Sequence, residues 1–488
     1  MDVSKLPNHH PVAWDTRFEP IALPDMFART AQASPSAPLL HFLGRTYSYS
    51  ELYRDAQAFA HALKARGIAE GDRVGLFLPN VPSYVVGYYG AMMAGAVVVN
   101  FSPLYSVEEL EEQVADSGTR LLVTVDVPEL YATAEEVLRG SELETLVVSS
   151  LSQMLPRLKG IALRLFARSK VAKVDYRADI LRWDDLLKQG ERSGGQLPTV
   201  DPQSLALLQY TGGTTGTPKG SMLTHANLSI NAQQTAGLNP FDDPANEVFM
   251  GALPFFHVFA NTALLNHAVV TGASIAMVPR FETKQVLETI EKYGATGFPG
   301  VPTMFQALLD HPDLAKTDLS SLRICISGGA PLPGPLREKF EAATGVRLVE
   351  GYGLTESAGV VSANPYEGTR KPGTIGQVLM QTEVLLLDKE NPAIVVADGE
   401  PGELALHGPQ IMQGYWNRPE AAKDVFIEHH GKTWLRTGDV ATVHEDGFLQ
   451  IVDRIKDMII SGGENISSLE VENVIHQHPA VLLAAVVA

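Results

Sequence analysis

Residues Tyr210-Thr211-Gly212-Gly213-Thr214-Thr215-Gly216-Thr217-Pro218-Lys219-Gly220 hold the densest anion-binding chemistry in the chain. Gly212, Gly213 and Gly216 let the backbone approach an anion and aim amide hydrogens at it. Thr211, Thr214, Thr215 and Thr217 add hydroxyls, and Lys219 adds a mobile positive charge. The loop follows an apolar strand pattern, Leu205–Gln209. It suits a polyphosphate, yet it is not a Walker A loop, because no Gly-Lys-Ser/Thr ends it before a helix.

The string resembles the phosphate-binding signature of adenylate-forming enzymes: acyl-CoA synthetases, peptide-synthetase adenylation domains and luciferases. Gly213, where many relatives carry serine, is similar to the bacterial long-chain acyl-CoA synthetases. Further blocks match in the family's order. Leu253–Ala260 resembles the acyl-entry block. A lone histidine among aromatics is usually core, but the resemblance makes His257 a donor to the substrate carboxylate or α-phosphate, with Phe256 beside it. Gly351-Tyr352-Gly353-Leu354-Thr355-Glu356-Ser357, preceded by Glu350, resembles the adenine and magnesium motif. An aromatic face suits a purine, a hydroxyl suits the α-phosphate, and a carboxylate suits Mg²⁺. Ser327-Gly328-Gly329-Ala330-Pro331 is implied as a wall of the adenine pocket. Asp439, in Trp434–Asp439, is implied as the acceptor of two ribose hydroxyls. In Asp453-Arg454-Ile455-Lys456-Asp457, Arg454 is implied to reach the ribose and Lys456 to be the interdomain hinge with a nucleotide contact.

The resemblance implies two half-reactions. A fatty carboxylate attacks the α-phosphorus of ATP, giving acyl-AMP and pyrophosphate, and the thiol of coenzyme A then displaces AMP. His257, Thr355 and Glu356 are the expected catalytic set. Thr214 and Glu356 are expected at Mg²⁺, and Phe256, His257, Gly300 and Gly328 at the acyl pocket. The expected activity is long-chain fatty-acid–CoA ligation, with medium to long acyl chains. The alternatives are a fatty-acyl-AMP ligase or other adenylate-forming enzyme, or an adenylation-impaired nucleotide- or acyl-binding fragment. Phe255, Phe256, Val258 and Phe259 leave no carboxylate near His257 for an amino-acid amine, which argues against a peptide-synthetase substrate. The family's catalytic lysine lies near the end of its C-terminal domain. Here Lys456 is the last lysine, so the chain reads as cut within that domain.

These residues need rigid elements to hold them. Ser48-Tyr49-Ser50-Glu51 fits a capping box ahead of Leu52, Ala56, Phe59 and Leu63, and Gly67 closes that helix. Val74 to Ser106 carries no charge, but Pro79, Pro82, Gly87, Gly90 and Gly95 interrupt it. It reads as a buried helix near 83–94 and a buried strand near 96–101 rather than a membrane span. Strand and helix alternate to about residue 330, and short apolar runs broken by turns take over from about Gly373. The expected fold is α/β: a large N-terminal domain (1–452) of two α/β-layered subdomains plus a small β-barrel-like subdomain. Residues 453–488 then begin a small α+β C-terminal domain.

The net charge of −18 argues against nucleic-acid binding. A single cysteine, Cys325, fits a reducing cytosol and reads as a core thiol. The N-terminus lacks a signal-peptide pattern. Residues 157–177 depart from the acidic average, with seven Lys/Arg and one Asp. They read either as an amphipathic helix packed on the body or as a surface for anionic lipid, which would place a cytoplasmic protein peripherally on the inner face of the membrane. Oligomeric state is not legible.

Overall fold

The computed structural model describes residues 5–211, 218–454, 459–461, 464–466, 471, 474–475 and 481. Leu205–Thr211 and Lys219–Thr224 form an antiparallel pair at one edge of a seven-stranded sheet, and Thr211 faces Lys219 in register. The rest of that sheet is parallel. Its order is 180–182, 145–149, 119–125, 73–77, 97–101, then 205–211. Val74 to Phe77 and Val97–Phe101 are buried, as strands covered by helices on both faces must be.

A second, nine-stranded sheet runs 377–378, 362–363, 347–352, 324–327, 297–300, 248–251, 274–277, 38–42, 45–48. Its central strands are parallel. Cys325 is a free thiol buried within it. Strands Glu383–Leu387, Gly402–His407, Phe426–His429, Lys432–Val443 and Leu449–Arg454 build a third, antiparallel sheet that curls into a half-barrel. The α/β layers and the β-rich subdomain expected from the sequence are therefore both present. The last strand of the half-barrel extends to Arg454, two residues past 452.

The uncharged stretch folds as the helix Pro82–Met93 and the strand Val97–Phe101. No described helix is long and apolar enough to cross a membrane. Helix Tyr49–Ala65 begins as the sequence suggests, with Ser48 Oγ accepting from the Glu51 amide at 3.1 Å. The reciprocal half of the capping box is replaced: the Glu51 carboxylate pairs with Arg45 at 2.6 Å. A cation in reach outcompetes a backbone amide for a carboxylate.

The basic segment forms the helix Arg157–Phe166. Its apolar face is not packed on the body. Leu158 is 83% exposed, Ile161 54%, Leu165 54% and Phe166 87%. Gly160 is buried instead, and a Cβ there would lie 2.2 Å from the Ser152 carbonyl oxygen. The helix thus rests on its glycine and turns its apolar side chains outward.

Candidate functional site

Residues 351–357 lie where the second sheet meets the half-barrel. The strand Arg347–Tyr352 delivers Gly351 and Tyr352, and a tight turn follows. Ala358 (φ 59°) and Gly359 (φ 121°) are both in the left-handed region. The turn brings the Gly359 carbonyl so close to Gly353 that a Cβ on Gly353 would lie 2.1 Å from it. Only glycine fits there.

The Glu356 carboxylate accepts from the Tyr415 hydroxyl at 2.7 Å, and the Glu356 carbonyl accepts from the Met412 amide at 2.8 Å. Burial, then the charge of Glu356, pushes the Tyr415 phenol up, so it stays a donor. Lys219 Nζ sits 5.3 Å from the centroid of the same tyrosine ring. Tyr415 therefore links Lys219, at the start of the strand Lys219–Thr224, to the Glu356 carboxylate. Tyr415 and Glu356 are 59 positions apart, and no motif signal pairs them.

At the other side of the turn, Tyr352 donates its hydroxyl to Asp439 Oδ2 at 2.5 Å. Arg454 Nε donates to Asp439 Oδ1 at 2.9 Å. Asp439 is buried, and its two oxygens hold one donor from the second sheet and one from the last strand of the half-barrel. Ribose hydroxyls binding here would take the place of those donors. Glu350 is pushed up to about 7 by burial, against the Leu332 amide that donates to it at 3.0 Å.

His257 caps a short helix, with the Phe259 amide donating to its Nδ1 at 3.3 Å. A ring that accepts at Nδ1 carries its proton on Nε2 and can offer it to an anion. The ring opens to the cavity while protein encloses it, and that desolvation lowers its pKa, keeping it neutral near pH 7.

A buried chain of polar side chains fixes this block from the first sheet. The Tyr84 hydroxyl lies 2.9 Å from Asn100 Oδ1 and 2.7 Å from the Phe255 carbonyl oxygen. Asn100 donates to Gln209 at 3.0 Å, and Gln209 donates to the Phe256 carbonyl at 3.0 Å. Asn80 brackets the block by accepting from the Phe255 amide at 2.7 Å and donating to the Leu253 carbonyl at 2.8 Å. Fully partnered buried networks of this kind hold one geometry. Gln209 thus lies within the strand Leu205–Thr211 and braces the Phe256 carbonyl next to His257.

A cavity of about 280 Å³ begins at this site and runs inward. His257, Gly328, Gly329, Gly351, Tyr352, Gly353, Thr355, Glu356 and Arg454 line its outer part. Val258, Phe259, Leu238, Phe249, Ile324 and Ile326 make much of the inner wall apolar. Gly328 sits close to the Phe259 ring, and a Cβ there would lie 3.1 Å from it, so the ring would have to shift by a few tenths of an ångström to admit a side chain. Among the described residues, the wall does not include Phe256 or Gly300. The Phe256 side chain packs against the core cluster, and Gly300 abuts the Phe305 ring. Gly212, Gly213, Thr214, Thr215, Gly216 and Lys456 fall outside the described residues.

Among the described residues, no group of three or more His, Cys, Asp and Glu side chains has the geometry of a metal site. Glu356 offers a single carboxylate. That donor set suits a Mg²⁺ ion carried by nucleotide phosphates, which takes one or two protein carboxylates, rather than a resident metal.

The profile of the AMP-binding enzyme family matches residues 27–416. The chain belongs to that family. This AMP-binding enzyme is similar to a long-chain-fatty-acid–CoA ligase of Bacillus subtilis (strain 168). The two are 38% identical over 461 residues, covering 94% of this chain and 81% of the relative. It is also similar to a feruloyl-CoA synthase of an Amycolatopsis species, 35% identical over 460 residues, with 94% and 84% covered. Among solved structures it resembles ATP-bound MatB from Rhodopseudomonas palustris. There the TM-score is 0.81 at 27% identity, covering 95% of this chain and 85% of the other.

The tyrosine clamp of this AMP-binding enzyme can be tested through metal dependence. Tyr415→Phe removes one hydrogen bond to a carboxylate, worth about 1.5 kcal/mol. The Mg²⁺ concentration that half-saturates ATP binding is expected to rise roughly tenfold. Calorimetric ATP titrations at varied Mg²⁺ measure it, and an unchanged midpoint would mean that Tyr415 does not position Glu356.

Proposed function

We propose that the protein ligates a medium- to long-chain fatty acid to coenzyme A, through an acyl-AMP intermediate made from ATP. The observation that carries this reading is the cavity. One space is lined both by Thr355, Glu356 and Arg454, which suit phosphate and ribose, and by apolar side chains such as Leu238, Val258 and Ile324, with His257 also in its wall. The fatty-acid ligases among the relatives support the acyl class. The feruloyl-CoA synthase supports an arylpropenoic acid as the runner-up.

In the first half-reaction the carboxylate oxygen bonds to the α-phosphorus and pyrophosphate leaves. Two anions must meet, so the site's task is to neutralise and align them. His257 Nε2–H and Thr355 hold the reacting oxygens. Lys219 and the loop 211–217 receive the β- and γ-phosphates. Asp439 and Arg454 fix the ribose, and Tyr352 with Gly329 flanks the adenine. Mg²⁺ held by Glu356 and the phosphates would supply additional charge neutralisation. In the second half-reaction the thiol sulfur bonds to the acyl carbon and AMP leaves. Within the family a lysine of the C-terminal domain takes part in the first step, and residues 457–488 contain none.

The test is AMP release on a panel of acids from four to eighteen carbons plus ferulate, with and without coenzyme A. It is run on this chain and on the chain extended with a relative's C-terminal segment. Thioester formation from fatty acids in the extended chain is expected. Acyl-AMP without thioester would indicate an acyl-AMP ligase, and ATP binding without either product a binding protein.

The same reading includes a peripheral contact with anionic membrane through residues 157–177. Four outward apolar side chains, Leu158, Ile161, Leu165 and Phe166, sit on a helix that also bears Arg157, Lys159 and Arg164. That is the composition of a helix lying in a lipid interface. Sedimentation with vesicles containing anionic lipid is expected to pull the protein down, and salt is expected to weaken it. Leu158→Ser with Phe166→Ser is expected to release it. Equal binding to neutral vesicles, or none to either, would leave the helix as a solvated face.

A further inference from the structure

Asp116 is an acidic residue where its own helix disfavours one. The helix Val107–Ser117 ends one residue after it, and a carboxylate in the last turn meets the negative end of the helix dipole. Two donors from distant parts of the chain offset that cost. The Tyr210 hydroxyl donates to Asp116 Oδ2 at 2.7 Å, and Arg418 Nη2 donates to Oδ1 at 2.8 Å. The Asp116 side chain is only 15% exposed, so solvent screens these contacts weakly. The Asp116 carbonyl also accepts from Trp416 Nε1 at 3.1 Å. Burial, then the hydrogen bond to Asp116, pushes the Tyr210 phenol up, so it stays a donor.

These partners converge on the two strands that flank the phosphate loop. In that pair Tyr210 faces Gly220, and Thr211 faces Lys219. The Tyr210 ring lies against Gly220, where a Cβ would come 3.3 Å from Tyr210 Cζ and 3.5 Å from Trp416 Cβ. Residues 413–416 run along the outer strand. The Trp416 amide donates to the Gly220 carbonyl at 2.8 Å, and the Met222 amide donates to the Gly414 carbonyl at 2.9 Å. Asp116 thus grips the pair from both sides. Tyr210 belongs to the inner strand, and Trp416 to the segment bonded along the outer one, with Arg418 two residues on. A carboxylate that holds both partners fixes their spacing, which the backbone ladder at a strand end does weakly.

We infer that Asp116 is a positioning residue for the phosphate end of the nucleotide: through Tyr210, Trp416 and Arg418 it keeps Thr211 and Lys219 in the register that meets the β- and γ-phosphates of ATP. It touches no substrate itself. The inference rests on the proposed ATP site, in which Lys219 and the loop receive those phosphates. Adenine and ribose are assigned there to Tyr352, Asp439 and Arg454, so the device acts on ATP and leaves AMP alone.

The experiment compares ATP and AMP, each with Mg²⁺, titrated calorimetrically into the 488-residue chain. Asp116→Asn keeps the volume but leaves one acceptor oxygen where two donors converge. It is expected to weaken ATP binding about tenfold and to leave AMP binding within about twofold. Tyr210→Phe is expected to give the same selective loss. The double variant is expected to lose no more than either single one, because both remove one contact. Parallel losses for ATP and AMP would make Asp116 a structural residue only and overturn the inference. Unchanged ATP binding, or additive losses in the double variant, would overturn it too. If Asp116→Asn does not fold, Tyr210→Phe decides alone, since it leaves the Asp116–Arg418 pair intact. Lys219→Ala tests the reading underneath: it is expected to shrink the preference for ATP over AMP. An unchanged preference would mean that Lys219 does not receive the phosphates, and the inference would fall with that assignment.

Discussion

Glu356→Gln is expected to cut pyrophosphate release from ATP and a fatty acid by about 10²–10³-fold in a chain competent for adenylation. The substitution keeps shape and removes one charge. Gln can still accept from the Tyr415 hydroxyl, now 2.7 Å from the carboxylate, so the turn should survive and the variant should melt near the parent. In the proposed mechanism it loses the anionic oxygen that would hold Mg²⁺, and with it the charge neutralisation that the ion would supply to the phosphates. Single-turnover pyrophosphate release with a parallel ATP titration separates the two effects. Adenylation at close to the parental rate would show that the metal is held elsewhere.

Gly353→Ala is expected to be more damaging than any surface change, and through the backbone. The Cβ would lie 2.1 Å from the Gly359 carbonyl oxygen and 2.9 Å from Val360 Cα, and neither is a flexible side-chain end. The turn must open, and with it Tyr352 on one side and Thr355 and Glu356 on the other move out of register. A loss of about 3 kcal/mol or more in stability is expected, with ATP binding reduced beyond detection. Gly334→Ala is the control: it opens a helix and nothing lies within 4 Å of its Cβ, so it should be neutral or slightly stabilising. Chemical denaturation of both variants decides. A Gly353→Ala protein with parental stability would mean that the turn relaxes at little cost.

The contiguous motif was legible as one local structure, and the partnerships between distant residues were not. Residues 351–357 sit together because one turn holds them, so their types could be interpreted in order. Gln209 was visible as the end of a strand, but its role as a strut depends on Tyr84, Asn100 and Phe256. Those residues meet only when two sheets pack. Tyr415 escaped for the same reason, since it matters through Glu356, a partner far away in the chain. The helix 157–166 shows a different limit. Periodicity identified the apolar face correctly but not which way it turns, because Gly160, the residue that docks, carries no hydrophobic signal. The capping box at Ser48 was half present because spacing alone did not register Arg45.

The site is assembled from separate sheets. Lys219 belongs to the first, Tyr352 to the second, and Asp439 and Arg454 to the half-barrel. A nucleotide touching all of them acts as a non-covalent cross-link. Ligand at about 100 times its dissociation constant adds about 2.7 kcal/mol to the state that binds it. Here that free energy goes to keeping the layers together rather than to any one layer's interior. Amide hydrogens at the seams, around 209–211, 352–356 and 439–441, should therefore gain protection from exchange on ATP binding, while the strand interiors at 97–101 and 324–327 should change little. The unliganded protein would breathe along its joints, and its substrate would double as its mortar.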